Sequence, residues 1–170
     1  MSRRYKLKER ALSQEETRER IVKATVALHE NPGPRATTIS AIARRAGVQR
    51  LTVYRHFPDE TALFKACSSH WFAQNPVPDP ARWAQIADPK ERARAALVAL
   101  YAYFRGARRM LTSVFRDDPF LTVRSPLDPF RAYLGGIAND LSRGFGTQRQ
   151  AASVTLRHAH PKRPLFCGCF

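Results

Sequence analysis

Thr38-Ile39-Ser40-Ala41-Ile42-Ala43-Arg44-Arg45-Ala46-Gly47-Val48-Gln49-Arg50-Leu51-Thr52-Val53-Tyr54-Arg55-His56-Phe57 divides into two short helices joined at Ala46-Gly47-Val48. In the first, Ile39, Ile42, Ala43 and Ala46 recur at helical spacing and make one apolar face. Thr38 stands where a hydroxyl can accept one of the backbone N–H groups that a helix start leaves without a partner. Gly47 stands where a left-handed residue ends that helix. Beyond Val48, either Leu51 or Val53 packs inward together with Phe57. Arg50, Thr52, Tyr54, Arg55 and His56 are left to face outward or to the flanks. Helix, glycine turn and a polar, basic second helix make the helix-turn-helix plan, whose second helix enters the major groove of DNA.

The side chains of that second helix suit such a groove. Arg50 and Arg55 offer guanidinium forks that fit guanine O6 and N7, or else a phosphate. Arg50, near the start of the helix, is the better placed of the two to read a base. Leu51 can pack on a thymine methyl. Thr52, Tyr54 and His56 are donors of the kind that fix register on phosphates without reading sequence.

Over residues 17–66 the chain resembles the DNA-binding domain of TetR-family transcriptional regulators. The matching positions are Thr37-Thr38, Ile42-Ala43, Ala46-Gly47-Val48, Thr52, Tyr54 and His56-Phe57-Pro58, followed by Leu63-Phe64. The resemblance weakens through the middle of the chain and fails at its end. It implies an all-α protein: an N-terminal three-helix helix-turn-helix domain, then a helical ligand-binding and dimerisation domain. It also implies a regulator and not an enzyme, most simply a repressor. Such a homodimer sits on a palindromic operator in double-stranded DNA and is released by a small-molecule effector. By the same resemblance, the residues at Arg50, Leu51 and Arg55 vary with operator, Tyr54 and His56 hold backbone, and Thr38 and Ser40 meet phosphate or an adjacent base. Four positions depart from the pattern: His29 and Pro34 stand where aromatics are usual. Gln49, beside the DNA-contacting set, replaces a small N-cap. Glu60 replaces a lysine that holds phosphate, so affinity rests more on Arg50, Arg55 and the N-terminal residues.

Charge agrees with a polyanionic partner without locating it. The 170 residues hold 29 Lys+Arg against 14 Asp+Glu, a formal net charge of +15 and a pI near 10.8. Neutralising phosphates releases counterions, which favours such a chain on nucleic acid. The three cysteines, two of them in the last four residues, make no disulfide framework. Cys67 reads as a packed or idle thiol, and no apolar run approaches the ~18 residues of a membrane span. The charged start lacks the apolar stretch of a signal peptide, so a cytoplasmic, nucleoid-associated protein is expected, with no cofactor and no metal.

Working outward, residues 1–13 carry Arg3, Arg4, Lys6, Lys8 and Arg10 against Glu9 alone. They read as a flexible basic arm that touches phosphate, enters a minor groove or stays solvated. A DNA-binding domain is expected over 14–75, with its first helix from about Gln14 to His29 and a stop at Asn31-Pro32-Gly33-Pro34. His29 reads as a partly buried packing residue. Helix 4 begins at Pro58-Asp59-Glu60 and directs Leu63, Phe64, Ala66 and Trp71-Phe72 to the core. Residues 76–80, Pro-Val-Pro-Asp-Pro, form an extended linker, because alternate prolines cannot sit in a helix.

A helical effector and dimerisation domain follows over 81–146. One helix is expected at 88–105, capped by Asp88 with Pro89 at its first position, and kinked or broken at Gly106. Another carries Phe130, Tyr133, Leu134, Ile137 and Leu141. Trp83, Tyr101, Phe104, Phe115, Phe130 and Tyr133, joined by Tyr103 and Phe120, can line an apolar effector pocket or simply fill a core. Arg105, Arg108 and Arg109 hint at an anionic ligand or else make a solvated face. From 147 to 170 the apolar period fades into an irregular tail. That ending suggests a frameshift or truncation near residue 147, which the neighbouring reading frame would reveal. A remnant that has lost DNA binding, or an interaction protein, is the alternative reading. A metal site at His158, His160, Cys167 and Cys169 matches no familiar zinc spacing.

Overall fold

The computed structural model describes residues 3–118 and 127–144. Seven α-helices and one short 3-10 turn make up the described chain, and no strand occurs among those residues. The helices are α1 (Arg3–Glu30), α2 (Ile39–Ala46), α3 (Arg50–His56), α4 (Glu60–Gln74), α5 (Ala81–Ala84), α6 (Pro89–Asp117) and α7 (Asp128–Ser142). The 3-10 turn, Pro34–Ala36, lies between α1 and α2.

Three apolar clusters hold these elements together. In the first, Ile21, Val22 and Ala24 of α1 meet Ile42, Ala43 and Ala46 of α2, Val53 of α3, Phe57, and Leu63 and Cys67 of α4. The second joins Trp71 of α4 to Ala107, Met110, Leu111 and Val114 of α6, with Leu127 and Phe130. The third gathers Trp83, Ala96, Leu100 and Ile137. Helix α4 therefore serves two cores: its first turns close the helix-turn-helix and Trp71 belongs to the helices that follow. Helix α6 likewise runs from the third core into the second.

Two expectations are corrected. Helix α1 begins at Arg3 and runs unbroken for 28 residues, where a start near Gln14 was expected. Nor does Gly106 break its helix, since α6 is continuous over 29 residues. A glycine inside a helix costs roughly 1 kcal/mol relative to alanine, and burial of the following Ala107, Met110, Leu111 and Val114 outweighs that. The proline-rich segment is held by the Tyr133 hydroxyl, which donates to the Pro78 carbonyl at 2.6 Å, and by Val77, which packs against the second core. The expected tail over 147–170, Phe120 and the His158–Cys169 cluster lie outside the described residues.

The end of α6 is tied to the loop between α1 and α2. Ser113 Oγ donates to the Glu30 carbonyl at 2.9 Å and Arg116 Nη2 to the Pro32 carbonyl at 2.7 Å. Asp117 Oδ2 accepts the backbone N–H of Arg35 at 3.1 Å. The Arg116 hydrogen bond, assisted by the Arg35 N–H, holds the Asp117 carboxyl below its usual pKa against the opposing effect of burial. Gly33, at φ 118°, sits against this seam, and any Cβ there would run into the side chains of Arg116 and Asp117. At the other end of α6, Arg92 donates to the carbonyl of Ile86 at 2.9 Å and to that of Arg143.

A small cavity of about 30 Å³ lies where α1, α4 and α6 meet, lined by His29, Phe64, Cys67, Trp71, Met110 and Leu127 among others. His29 Nδ1 is 3.5 Å from Cys67 Sγ, and its ring lies 4.7 Å from that of Phe64. His29 is 6% exposed. Burial lowers its pKa to about 4, against a smaller opposing pull from Asp117, and raises that of Cys67 to about 12.

Candidate nucleic-acid interface

Local chemistry fixes both helices of the reading unit. The Thr38 hydroxyl accepts the Ala41 N–H at 3.1 Å and opens α2. Gly47 adopts φ 65°, ψ 39° and closes it, its N–H turned back to the Ala43 and Arg44 carbonyls. A residue with a Cβ is strained in that left-handed region. Helix α3 then starts at Arg50, and Gln49 at the cap position ahead of it makes no side-chain cap, in keeping with glutamine in place of a short hydroxyl residue.

Helix α3 is split lengthwise. Val53 is fully buried and Phe57 is 3% exposed. That resolves the choice between Leu51 and Val53 in favour of Val53, because Leu51 is 69% exposed. The Arg18 guanidinium lies 5.1 Å from the centre of the Phe57 ring, a cation–π contact that braces α3 against α1. On the opposite side Arg50, Leu51, Tyr54 and Arg55 are exposed, and Thr52 and His56 are half-buried at the flanks. Gln49, Thr38 and Ser40 are exposed at the starts of α3 and α2.

The electrostatics of this face are one-sided. Helices α2 and α3 contain Arg44, Arg45, Arg50 and Arg55 and no acid. No ion pair to Arg50 or Arg55 occurs among the described residues, so both guanidiniums keep their donors free for a ligand. The nearest acids in sequence follow at the start of α4. Asp59 is occupied in capping, accepting the Ala62 N–H at 2.7 Å, and Glu60 is exposed in the first turn. An exposed leucine between cations suits the edge of a base pair, where a thymine methyl lies beside hydrogen-bonding groups.

A polar groove of about 260 Å³ lies between α3 and the front half of α1, lined by Ser13, Gln14, Thr17, Thr52, Arg55 and His56. The phosphate contact expected of residues 1–13 ends at Ser13; Gln14 and Thr17 were not expected on this face. The signal for it was the run of polar residues Thr17, Gln14, Ser13 and Arg10 at the core-facing spacing ahead of Ile21.

The expected effector-pocket residues part company. Phe104, Phe115 and Tyr133 surround Phe130, with ring centroids 6.2, 6.3 and 6.0 Å from it. Phe72 of α4, at 6.0 Å, and Tyr103, at 6.1 Å, join the same cluster. Trp83 lies in the neighbouring core, 1% exposed, with its indole N–H lacking an acceptor. Tyr101 faces outward at 67% exposure. No group of three potential metal ligands occurs among the described residues, and no helix there is long and apolar enough to cross a membrane.

Comparison with known families falls on this part of the chain. Residues 21–67 match the family model described as bacterial regulatory proteins, tetR family. The match takes in α2 and α3 whole, α1 from Ile21 to its end and the first turns of α4. No curated protein matches the chain.

Proposed function

We propose that this DNA-binding transcription regulator, whose N-terminal domain is that of the tetR family, works as a homodimeric repressor on a palindromic operator and leaves it when a small molecule binds. The observation that carries the reading is the division of α3, with Val53 and Phe57 sunk in the core and Arg50, Leu51, Tyr54 and Arg55 presented together on the far side.

In this reading α3 lies in the major groove. Arg50 donates its fork to a guanine edge, Leu51 covers a thymine methyl, and Arg55 takes a second base or a phosphate. Gln49, Thr52, Tyr54 and His56, with Thr38 and Ser40 at the start of α2, fix the register on backbone oxygens. Two copies place their α3 helices about one helical turn, ~34–36 Å, or a multiple of it, apart. The effector acts from the aromatic helices of α6 and α7, by favouring an arrangement in which that spacing no longer fits. The site of action is cytoplasmic DNA.

Selection of bound fragments from genomic DNA by the purified protein tests this directly. Enrichment of an inverted repeat, with two chains per repeat by sizing chromatography, is the expected result. Bound fragments with no shared sequence would refute the operator, and a single chain per site would refute the dimer.

A further inference from the structure

Among the described residues nothing covers one apolar turn of α6. Leu97, Val98 and Tyr101 are 48%, 61% and 67% exposed, whereas Ala96 and Leu100 beside them are buried. The helix meets its cores from the other side, through Ala96, Leu100, Ala107 and Met110. Single exposed apolar residues are ordinary on a protein surface, but three within one turn form a patch.

The chemistry of this side changes along the helix. Arg105 and Arg108 point within about 40° of Tyr101 at 3.6 residues per turn, and Arg109 lies at the edge of the same side. All three are exposed, and no ion pair to any of them occurs among the described residues. From Arg92 to Arg116 the helix contains no acid. In the other direction the patch is bordered by Arg94, which already holds Glu91 at 2.8 Å. The side therefore runs from a closed ion pair, through an apolar turn, to open guanidiniums. Arg94 to Arg108 spans about 21 Å at 1.5 Å per residue.

Charge decides what can lie there. Between Lys90 and Arg109 the helix exposes five cations, Lys90, Arg94, Arg105, Arg108 and Arg109, against Glu91 alone. A second copy laid on this side in either direction meets like charge. Duplex DNA would satisfy the guanidiniums, but its phosphate backbone offers Leu97 and Val98 nothing apolar. Membrane binding grows with the apolar area buried, and one turn supplies little. An amphipathic helix bearing apolar side chains and acids answers both halves together.

We propose that this side of α6 is a docking site for an acidic amphipathic helix of a partner protein. Apolar anchors of that helix cover Leu97, Val98 and Tyr101, and its carboxylates take Arg105 and Arg108 as two-pronged pairs. Tyrosine and arginine are residue types that concentrate binding energy at interfaces. The site uses none of the DNA-facing residues, so it stands whether or not α3 reads an operator.

The probe is a synthetic peptide about five helical turns long, with leucines at every third or fourth position and glutamates flanking that stripe. Anisotropy of the labelled peptide measures its affinity for the full chain. Micromolar binding is expected, with none for companion peptides that carry lysines for the glutamates or serines for the leucines. Leu97→Ser combined with Tyr101→Ser should weaken binding roughly tenfold or more, as loss of interface anchors does. Arg105→Gln combined with Arg108→Gln should do the same and remove most of the salt dependence. Lys65→Gln combined with Arg82→Gln, at exposed positions elsewhere, should leave binding unchanged. Every altered side chain is partly or fully exposed, so each variant should unfold at the temperature of the unaltered chain.

Equal weakening by both charge pairs would reduce the effect to net charge and overturn the site. So would indifference to the loss of Leu97 and Tyr101, or an acidic peptide that does not bind. Sizing chromatography in which the Leu97, Tyr101 variant turns a dimer into a monomer would assign the face to a second copy instead. Cosedimentation with phosphatidylglycerol vesicles, abolished in the same variant, would assign it to a lipid surface. Either result would also overturn the proposal.

Discussion

The Asp117 carboxylate, near the last turn of α6, accepts the backbone N–H of Arg35 at 3.1 Å, across 82 positions of sequence. Arg35 lies in the turn that leads into α2, so this bond reaches the helix-turn-helix without approaching its DNA-facing side. The carboxylate is braced by Arg116, whose Nε lies 2.8 Å from Oδ1. Asp117→Ala removes the acceptor that the Arg35 N–H and the Arg116 guanidinium share. A loss of about 1–3 kcal/mol is expected in urea unfolding. DNA affinity should fall too, although the residue touches no DNA. Unchanged affinity in a destabilised variant would show that the seam supports the fold alone.

Arg50→Ala is expected to cost about 1–3 kcal/mol of binding and to relax preference at one base position. Unfolding should not change, because the side chain is exposed and makes no ion pair among the described residues. Competition between duplexes differing at single positions measures this. Equal weakening on every sequence would make Arg50 a phosphate ligand instead.

Gly47→Ala isolates backbone geometry. A Cβ there meets nothing closer than the Arg20 guanidinium at 4.0 Å, so there is no steric collision with other elements. The left-handed φ of 65° remains, and it costs a residue with a Cβ roughly 1–2 kcal/mol. Thermal unfolding should show that loss, and DNA affinity should drop with it as the angle between α2 and α3 relaxes.

His29 gives the fold a built-in acid sensitivity. Its pKa falls from 6.5 to about 4 on burial, so the unfolded chain takes up the proton first. Stability from this residue is complete above about pH 6.5 and is lost as pH falls toward 4. Asp117, also lowered, adds its own loss as pH falls further. The His29 shift corresponds to roughly 3 kcal/mol. His29→Gln should flatten the dependence of unfolding free energy on pH between about 6.5 and 4; an unaltered slope would count against a neutral buried ring.

Cys67 should resist modification in the folded protein. Its thiol is 2% exposed and its pKa is pushed up to about 12 by burial, so almost no thiolate is present at neutral pH. Reaction with a thiol reagent should follow unfolding, rising with denaturant. Rapid labelling of the native chain would contradict this.

The helix-turn-helix was legible because its signals are local. Thr38 and Gly47 act within a few residues of their own position, and periodicity places the apolar face of α2, while the choice between Leu51 and Val53 needed the packing against α1 and α4. Two elements were hidden for opposite reasons. The front of α1 carries no apolar stripe, so the pattern that marks a helix was missing, although its backbone continues the helix behind it. Gly106 carries a strong local signal for a break, and packing from Ala107 to Val114 overrides it. The Asp117–Arg35 bond and the His29–Cys67 pair join distant positions, which spacing along a chain cannot reveal. The aromatics of α6 and α7 were recognisable as a group, and which of them meet depended on helix rotation: Tyr101 faces water while Tyr103 and Phe104 pack.

Helix α6 spans about 43 Å at 1.5 Å per residue, anchored at one end by Arg92 to Arg143 and at the other by Arg116 and Asp117 to the loop ahead of α2. The contacts that position Arg35 and those around Pro89 therefore share one uninterrupted hydrogen-bonded ladder.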